Sequence, residues 1–199
     1  MLRRLTARAF WALSRWKLVG EVAPDRPTVF VGAPHTSNWD FVLMLAIAWR
    51  LGVEIRWLGK KSLFAGWRGP LMRRLGGIPV DRADPSSVVV DVVSRVRAGE
   101  VFGLVVTPDG TRGNTGYWKS GFYRIARDAE MPVTLCFVDR VTMTTGIGPT
   151  FELTGDVTAD MDRIRVFYAD KSGLRPERRR EPRLREEGTD MRGSSESRA

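Results

Sequence analysis

The chain has 199 residues, 43% of them hydrophobic, which is enough for one good core and most simply one domain with short extensions. Lysine and arginine total 32 against 23 acidic residues, so the net charge is +9 and we expect a polyanionic partner, either nucleic acid or an anionic membrane surface. One cysteine excludes an internal disulfide, one cysteine with one histidine cannot build an ordinary zinc site, and the lack of a run of about 18 apolar residues argues against a transmembrane helix.

Residues 1–23 are predicted to form an amphipathic helix. Apolar side chains recur at helical spacing, at Leu2, Leu5, Ala9, Ala12, Leu13 and Trp16, whereas other sectors carry Arg3, Arg4, Arg8 and Arg15. No acid precedes Glu21, and a cationic helix of this kind can lie among lipid headgroups. The alternative is a helix packed on the domain with its basic residues in water. The arginines interrupt any apolar core, and no small-residue cleavage site follows, so a signal peptide is not indicated.

A folded domain is predicted from residue 24 to residue 171. Apolar runs predict strands at 28–33, 53–58, within 76–82, at 101–106, 132–138 and 151–154. Helical periodicity predicts helices at 39–51, 71–75, 85–97, 119–129 and 160–171. This alternation predicts an α/β fold, a single-domain sandwich around a largely parallel central sheet. From Ser172 the composition turns to Arg, Glu, Gly and Ser, so we expect residues 172–199 to be a disordered charged tail.

The only histidine, His35, directly follows the strand predicted at 28–33, and Asp40 comes five residues later. Histidine moves protons near neutral pH, and a carboxylate can fix its tautomer and stabilise its charged form. A step of five residues turns about 140° around a helix, so His35 is expected in the loop and Asp40 in the first helical turn, with Ser37 or Asn38 as the N-cap. The alternative is an ordinary histidine near a first-turn acid.

A second polar motif, Thr107-Pro108-Asp109-Gly110-Thr111-Arg112, follows the strand predicted at 101–106. Ligands in open α/β sheets bind beyond the carboxyl ends of strands, so the two motifs are expected to face one crevice. Lys60 follows the second strand and Arg82 ends the 76–82 stretch. With Arg112 they predict a phosphate site, in which Gly110 allows a tight turn and Arg112 offers a bidentate fork. Taken singly, each cation is more often a solvated surface charge.

These motifs resemble those of the glycerolipid acyltransferases, best known for the 1-acyl-glycerol-3-phosphate acyltransferases. His35-Thr36-Ser37-Asn38-Trp39-Asp40 has their His-x4-Asp form, and Gly76-Gly77-Ile78-Pro79-Val80-Asp81-Arg82 is similar to their third block. Pro108-Asp109-Gly110-Thr111-Arg112 is similar to their Pro-Glu-Gly-Thr-Arg block, and Met131-Pro132-Val133 to the start of their final strand. Order and separations agree from about residue 28 to residue 139. One departure stands out: Asp109 replaces the family glutamate and is one methylene shorter.

The resemblance implies an O-acyltransferase of phospholipid synthesis, which moves a fatty acyl group from acyl-CoA or acyl-carrier protein to a hydroxyl of a lysophospholipid or related glycerolipid. The expected acceptor is 1-acyl-glycerol-3-phosphate. His35 would be the general base and Asp40 would orient it. Binding of substrate would fall to Lys60, Arg82, Asp109, Gly110, Thr111 and Arg112.

The same mechanism requires no enzyme nucleophile and no metal. It also requires no cofactor beyond the thioester co-substrate. Its lack of a nucleophile agrees with the absence of a Gly-x-Ser-x-Gly elbow and with Cys136 as a small, buried, chemically silent residue. We expect a cytoplasmic protein, peripheral at the cytoplasmic face of the membrane.

Two other functions remain open at this point. A lipid-binding protein of the same fold could have lost catalysis, although His35 and Asp40 are both intact. A nucleic-acid-binding module would also account for the basic charge and the seven tryptophans, but the chain contains no recognisable nucleic-acid motif, and we expect no nucleic acid as partner.

Overall fold

The computed structural model describes residues 2–80, 86–109 and 116–187. These residues form six α-helices and seven strands. The helices are α1 (Leu2–Leu13), α2 (Asp40–Leu51), α3 (Arg68–Arg74), α4 (Ser86–Arg97), α5 (Gly121–Asp128) and α6 (Val157–Tyr168). The strands are β1 (Lys17–Gly20), β2 (Thr28–Ala33), β3 (Ile55–Lys60), β4 (Gly77–Val80), β5 (Gly103–Val106), β6 (Val133–Asp139) and β7 (Thr144–Phe151). Short 3-10 turns span Lys61–Phe64 and Pro176–Arg178.

The strands form one sheet in the order β1-β7-β6-β2-β5-β3-β4. Strands β2 to β6 are mutually parallel, with β2 between β5 and β6. Strand β7 runs antiparallel to β6, and β1 pairs parallel to β7. The carboxyl ends of the five parallel strands therefore lie at one edge of the sheet, where ligands bind in open α/β folds. The predicted α/β sandwich with a largely parallel sheet is confirmed.

The two faces of the sheet carry separate apolar cores because side chains alternate along each strand. On one face, Val29 and Val31 of β2 pack with residues of α4, α5 and α6, among them Val92 and Phe122. On the other face, Phe30 packs with residues of α2 and β3. Helix α1 covers α2, where the indole Nε1 of Trp11 donates to the carbonyl of Ala46 at 3.2 Å.

The N-terminal helix is shorter than predicted. It ends at Leu13, and Lys17–Gly20 forms edge strand β1, in register with residues 144–147 of β7. The prediction of a helix through residue 23 is therefore wrong, because these backbone groups find partners in the sheet. None of the helices in the described ranges is long and apolar enough to cross a membrane.

The last strand also differs from the prediction. The strand predicted at 151–154 lies at Thr144–Phe151, so Gly146 and Gly148, which precede the predicted strand, lie inside β7. A Cβ on Gly146 would lie 1.7 Å from the carbonyl oxygen of Val19, and one on Gly148 would lie 2.3 Å from the ring of Phe167. These glycines permit close approach by a strand and by a ring, rather than a turn.

Residues 172–187 pack against the domain, so the prediction of a disordered tail from residue 172 is wrong for this part. Leu184 is only 2% exposed and joins the core of the α4–α6 face. The backbone N–H of Trp118 donates to the carbonyl of Arg183 at 2.7 Å, and the Arg165 guanidinium lies 2.8 Å from Glu187. A few anchoring contacts thus order a segment of low hydrophobicity. Residues 188–199 lie outside the described residues.

Candidate active site

The structure brings His35 and Asp40 together at the carboxyl end of the central strand β2. Nδ1 of His35 lies 2.9 Å from Oδ2 of Asp40, and both side chains are largely buried. Asp40 is the first residue of α2, and its Oδ2 also accepts the backbone N–H of Ser37 at 2.8 Å. The N-cap is Trp39, with no side-chain hydrogen bond to the helix, so the N-cap predicted at Ser37 or Asn38 is wrong. The local reason is that the Asp40 carboxylate binds the loop N–H itself.

This contact determines which ring nitrogen is available for chemistry. A carboxylate only accepts hydrogen bonds, so the neutral imidazole places its proton on Nδ1 and its lone pair on Nε2. Among the residues that the structure describes, none is hydrogen-bonded to Nε2. The side chain of His35 is 18% exposed, which leaves the ring partly open to a ligand. The pair can therefore take one proton at Nε2 and stabilise the resulting imidazolium.

Asp109 holds the backbone of His35. Its Oδ2 accepts the His35 N–H at 2.5 Å, across the boundary between neighbouring strands β2 and β5. Burial raises the pKa of Asp109, the hydrogen bond from His35 lowers it, and the charge of Asp40 raises it, with a net upward shift. Asp109, predicted to bind substrate, thus contacts the histidine loop through one carboxylate oxygen.

Tyr168, the last residue of α6, links the neighbouring strands β2 and β6 through its hydroxyl. Its buried hydroxyl lies 2.7 Å from the carbonyl oxygen of Val31 and 3.0 Å from that of Cys136. Burial raises the pKa of Tyr168 well above its ordinary value, with the charge of Asp109 adding to the shift. Burial also raises the pKa of the Cys136 thiol to about 12, so the thiolate needed for nucleophilic chemistry is scarce near neutral pH.

The C-terminal segment fixes the other side of the histidine loop. The buried Thr36 accepts the backbone N–H of Arg175 at its Oγ1, at 2.9 Å. Gly173 has φ +70°, and a Cβ there would lie 3.0 Å from Thr36 Oγ1 and 3.2 Å from Pro34 Cβ. Sequence reasoning missed these contacts, since the partners are more than 130 residues apart.

The predicted phosphate site is only partly within the described residues. Lys60 is exposed and ends β3, at the same sheet edge as His35. Strand β5 separates β3 from β2, which places the two strand ends roughly 10 Å apart. Arg82, Gly110, Thr111 and Arg112 lie outside the described residues. The structure thus unites His35, Asp40 and Asp109 and places Lys60 two strands away.

An apolar groove of about 380 Å³ borders the histidine loop. Ser37 and Trp39 of the His35–Asp40 motif contribute to its wall, and the other lining residues are Phe10, Ser14, Trp16, Val42, Leu43, Arg140, Leu174 and Arg175. A larger cavity of about 660 Å³ lies at the opposite edge, where Thr28 and Gly103 begin their strands, and its lining includes none of the site residues that the structure describes. The smaller groove is the one adjacent to the candidate chemistry.

A histidine in contact with a carboxylate thus lies at the carboxyl end of the central strand of a mostly parallel sheet. The fold is similar to the crystal structure of the 1-acyl-sn-glycerophosphate (LPA) acyltransferase PlsC from Thermotoga maritima, with a TM-score of 0.54. The similarity covers 85% of this chain and 75% of that one, at 15% sequence identity.

The acyltransferase family model matches residues 15–138, and the chain belongs to this family. The match begins after α1 and includes His35, Asp40 and Asp109. The acyltransferase family and enzyme class predicted from the motifs are confirmed. No curated protein matches the chain.

Proposed function

We propose that this acyltransferase moves a fatty acyl group from the thioester of acyl-CoA or acyl-carrier protein to a hydroxyl of a lysophospholipid or related glycerolipid, with 1-acyl-glycerol-3-phosphate as the acceptor. The observation that carries the proposal is the 2.9 Å contact between His35 Nδ1 and Asp40 Oδ2. It supports a neutral imidazole with Nε2 free to accept a proton, which is the group that an acceptor hydroxyl requires.

In the proposed reaction, Nε2 of His35 takes the hydroxyl proton as the acceptor oxygen attacks the thioester carbonyl carbon. The imidazolium is stabilised by Asp40. The tetrahedral intermediate then collapses, the carbon–sulfur bond breaks, and His35 returns the proton to the departing sulfur. An oxygen ester and a free thiol are the products, and no enzyme nucleophile is used. The high pKa of Cys136 agrees with this scheme.

The remaining residues are assigned to binding and support. Asp109 holds the His35 backbone while the ring changes charge. Lys60, Arg82 and Arg112 bind the substrate phosphate in this proposal, whether it belongs to the acceptor or to the thioester carrier. The apolar groove beside Ser37 and Trp39 suits an acyl chain, because its wall is mostly aliphatic and aromatic.

We further propose that the protein works at the cytoplasmic face of a membrane. Helix α1 packs on the domain through Ala7, which is 1% exposed, whereas Leu2, Leu5 and Leu13 are 78%, 50% and 87% exposed. At 3.6 residues per turn, these leucines lie about 120° to 160° around the helix from Ala7. The apolar stripe therefore points away from the domain, as a membrane-surface helix requires. This supports the membrane interpretation over a helix that packs by its apolar stripe.

The test is an acyl-transfer assay with the purified full chain, acyl-CoA and acyl-carrier-protein thioesters, and a panel of lysolipids read by mass spectrometry. We expect esterified product with at least one lysophospholipid and a free thiol in equal amount. The His35→Ala variant serves as the matched control. If neither thioester supports transfer to any acceptor, while lysolipid binding persists, the chain is a lipid-binding protein of this fold.

A further inference from the structure

Two neighbouring parts of the chain carry only positive charge. Helix α1 and the residues up to Gly20 contain no acid, as noted above. Residues 60–74, here called the β3–α3 segment, also contain no acid, and their basic residues are Lys60, Lys61, Arg68, Arg73 and Arg74. The two parts meet where the guanidinium of Arg3 donates to the carbonyl of Arg74 at 2.9 Å.

Aromatic contacts join the β3–α3 segment to β3 and α2. The ring of Phe64 stacks on Trp57 of β3, with centroids 5.7 Å apart, and Trp57 meets Phe41 of α2 edge to face at 4.9 Å. Helix α2 thus contacts α1 through Trp11 and the β3–α3 segment through Phe41 and Trp57.

Only one side of the β3–α3 segment packs on the protein. Phe64 is buried, and Gly69 lies so close that a Cβ there would be 2.3 Å from the carbonyl oxygen of Phe64. On the other side, Trp67 is 81% exposed and Leu71 is 48% exposed. Trp67 and Leu71 are one helical turn apart and share a face of α3, whereas Gly69 points the opposite way. Two large apolar side chains therefore face water.

Three arginines of the β3–α3 segment are available to a partner. Within the described ranges, Arg68, Arg73 and Arg74 form no ion pair with an acid. The guanidinium of Arg68 lies over the ring of Trp67, 5.4 Å from its centroid, and that of Arg73 lies over Phe64 at the same distance. An exposed tryptophan with the Arg68 guanidinium over its ring, on a segment whose other arginines have no acidic partner, matches the composition of a membrane interface, where indoles lie at headgroup depth and cations meet lipid phosphates.

We propose that the β3–α3 segment is a second membrane-contact site, in which Trp67 and Leu71 enter the headgroup region of an anionic bilayer beside the leucine stripe of α1. The inference rests on the proposed function in taking a membrane as the source of the acceptor. Lys60 begins this segment and also ends β3 at the edge that bears His35. A lipid leaving the bilayer at this segment would therefore reach the catalytic edge without crossing the domain.

The test is co-sedimentation of the full chain with vesicles of phosphatidylcholine, with and without phosphatidylglycerol. We expect Trp67→Ser with Leu71→Ser to lower the partition coefficient by roughly tenfold or more. Arg68→Gln with Arg73→Gln and Arg74→Gln should lower binding to the anionic vesicles by on the order of a hundredfold, and binding to the neutral vesicles much less. The matched control is Val141→Ser with Val166→Ser, since these side chains are 78% and 77% exposed on other elements.

A direct readout of insertion keeps the test independent of folding defects. Brominated lipid should quench the tryptophan fluorescence of Trp67→Phe less than that of the wild type, because the variant lacks the indole that enters the bilayer. The other six tryptophans supply the remaining fluorescence. Wild-type quenching and sedimentation in all variants would overturn the proposal.

The same variants separate this proposal from the proposed function. With a dispersed lysolipid and no vesicles, Trp67→Ser with Leu71→Ser should turn over at the wild-type rate. If no protein turns over but the vesicle results hold, the proposed function fails and the contact site stands. If the variants bind vesicles normally and lose only turnover with acyl-carrier protein, the segment docks that acidic carrier and the membrane proposal is wrong.

Discussion

Oδ2 of Asp109 lies 2.5 Å from the backbone nitrogen of His35. The ring of the same histidine is bound by Asp40, so two carboxylates from different elements hold one residue, one by its side chain and one by its main chain. Asp40 sets the tautomer and the ring plane. Asp109 sets the position of the residue at the strand end. The single histidine is therefore fixed before substrate arrives, which is the preorganisation that a general base needs.

Replacing His35 by alanine should abolish acyl transfer with the fold intact. A positioned general base contributes roughly 10²- to 10⁴-fold to the rate, and the chain has no second histidine to substitute for it. Single-turnover kinetics with the best thioester measures the loss, and circular dichroism checks the fold. Near-normal turnover in a folded His35→Ala protein would rule out His35 as the general base.

Replacing Asp40 by asparagine should lower the rate by orders of magnitude, about 10⁴ in the hydrolytic triads to which it is analogous. An amide can donate to Nδ1, which favours the wrong tautomer and leaves the imidazolium without a counter-charge. We expect the loss in kcat rather than in KM. The control is Asp128→Asn on the exposed end of α5, which should leave both constants unchanged. Equal rates in the two variants would remove Asp40 from the mechanism.

The stability of the wild type relative to Asp109→Asn should fall as pH rises above about 3.8. Burial raises the folded-state pKa of Asp109 above its ordinary value of 3.8, so the folded protein binds this proton more tightly than the unfolded chain does. The contribution is full below pH 3.8 and is lost as pH rises through the folded-state pKa. The difference in stability between the two proteins should therefore change in favour of the variant as pH rises. Urea unfolding of both proteins across this range measures the difference, and a parallel pH dependence in both would contradict it.

Replacing Asp139 by asparagine should have the opposite pH signature. Burial raises the pKa of Asp139, but hydrogen bonds from Ser172, Thr142 and the N–H of Val141 outweigh it and hold the pKa below 3.8. The wild type should be more stable than the variant by about 1 to 3 kcal/mol at neutral pH. That advantage should shrink as pH falls below 3.8 through the lowered folded-state pKa. Thermal unfolding at neutral and acid pH tests it, and a constant difference would mean that the carboxylate charge is not involved.

Replacing Leu2, Leu5 and Leu13 by serine should release the protein from anionic vesicles. These side chains point away from the domain, whereas deleting all of α1 would uncover the α2 surface that Trp11 covers. Binding of the wild type should also fall with salt, since charges are screened over about 8 to 10 Å near physiological ionic strength. Removing residues 188–199 should matter less. If that truncation detaches the protein and the leucine variant stays bound, α1 is not the anchor.

Local signals in the sequence predicted the central elements well. The apolar run 28–33 forms β2, and the helix predicted at 39–51 ends at Leu51 as expected, followed by Gly52 in the left-handed region at φ +74°. The His35–Asp40 contact was predictable because both residues belong to one short motif. Strand β1 was not, because four residues gain strand structure only by pairing with β7, more than 120 positions away. The contacts of Thr36 and Tyr168 were hidden for the same reason.

The hydrogen bond from the Arg175 amide to Thr36 couples the local stability of the C-terminal segment to that of the loop beside His35. Thr36 adjoins His35, and the backbone N–H of Ser172 donates to Asp139 at the end of β6, so hydrogen bonds join the loop of His35 and the C-terminal segment into one structural unit. Local opening of such a unit exposes all of its amides together. Proteolytic cleavage or local unfolding after Ser172 should therefore reduce the order of the loop that contains His35, although the two are far apart in sequence.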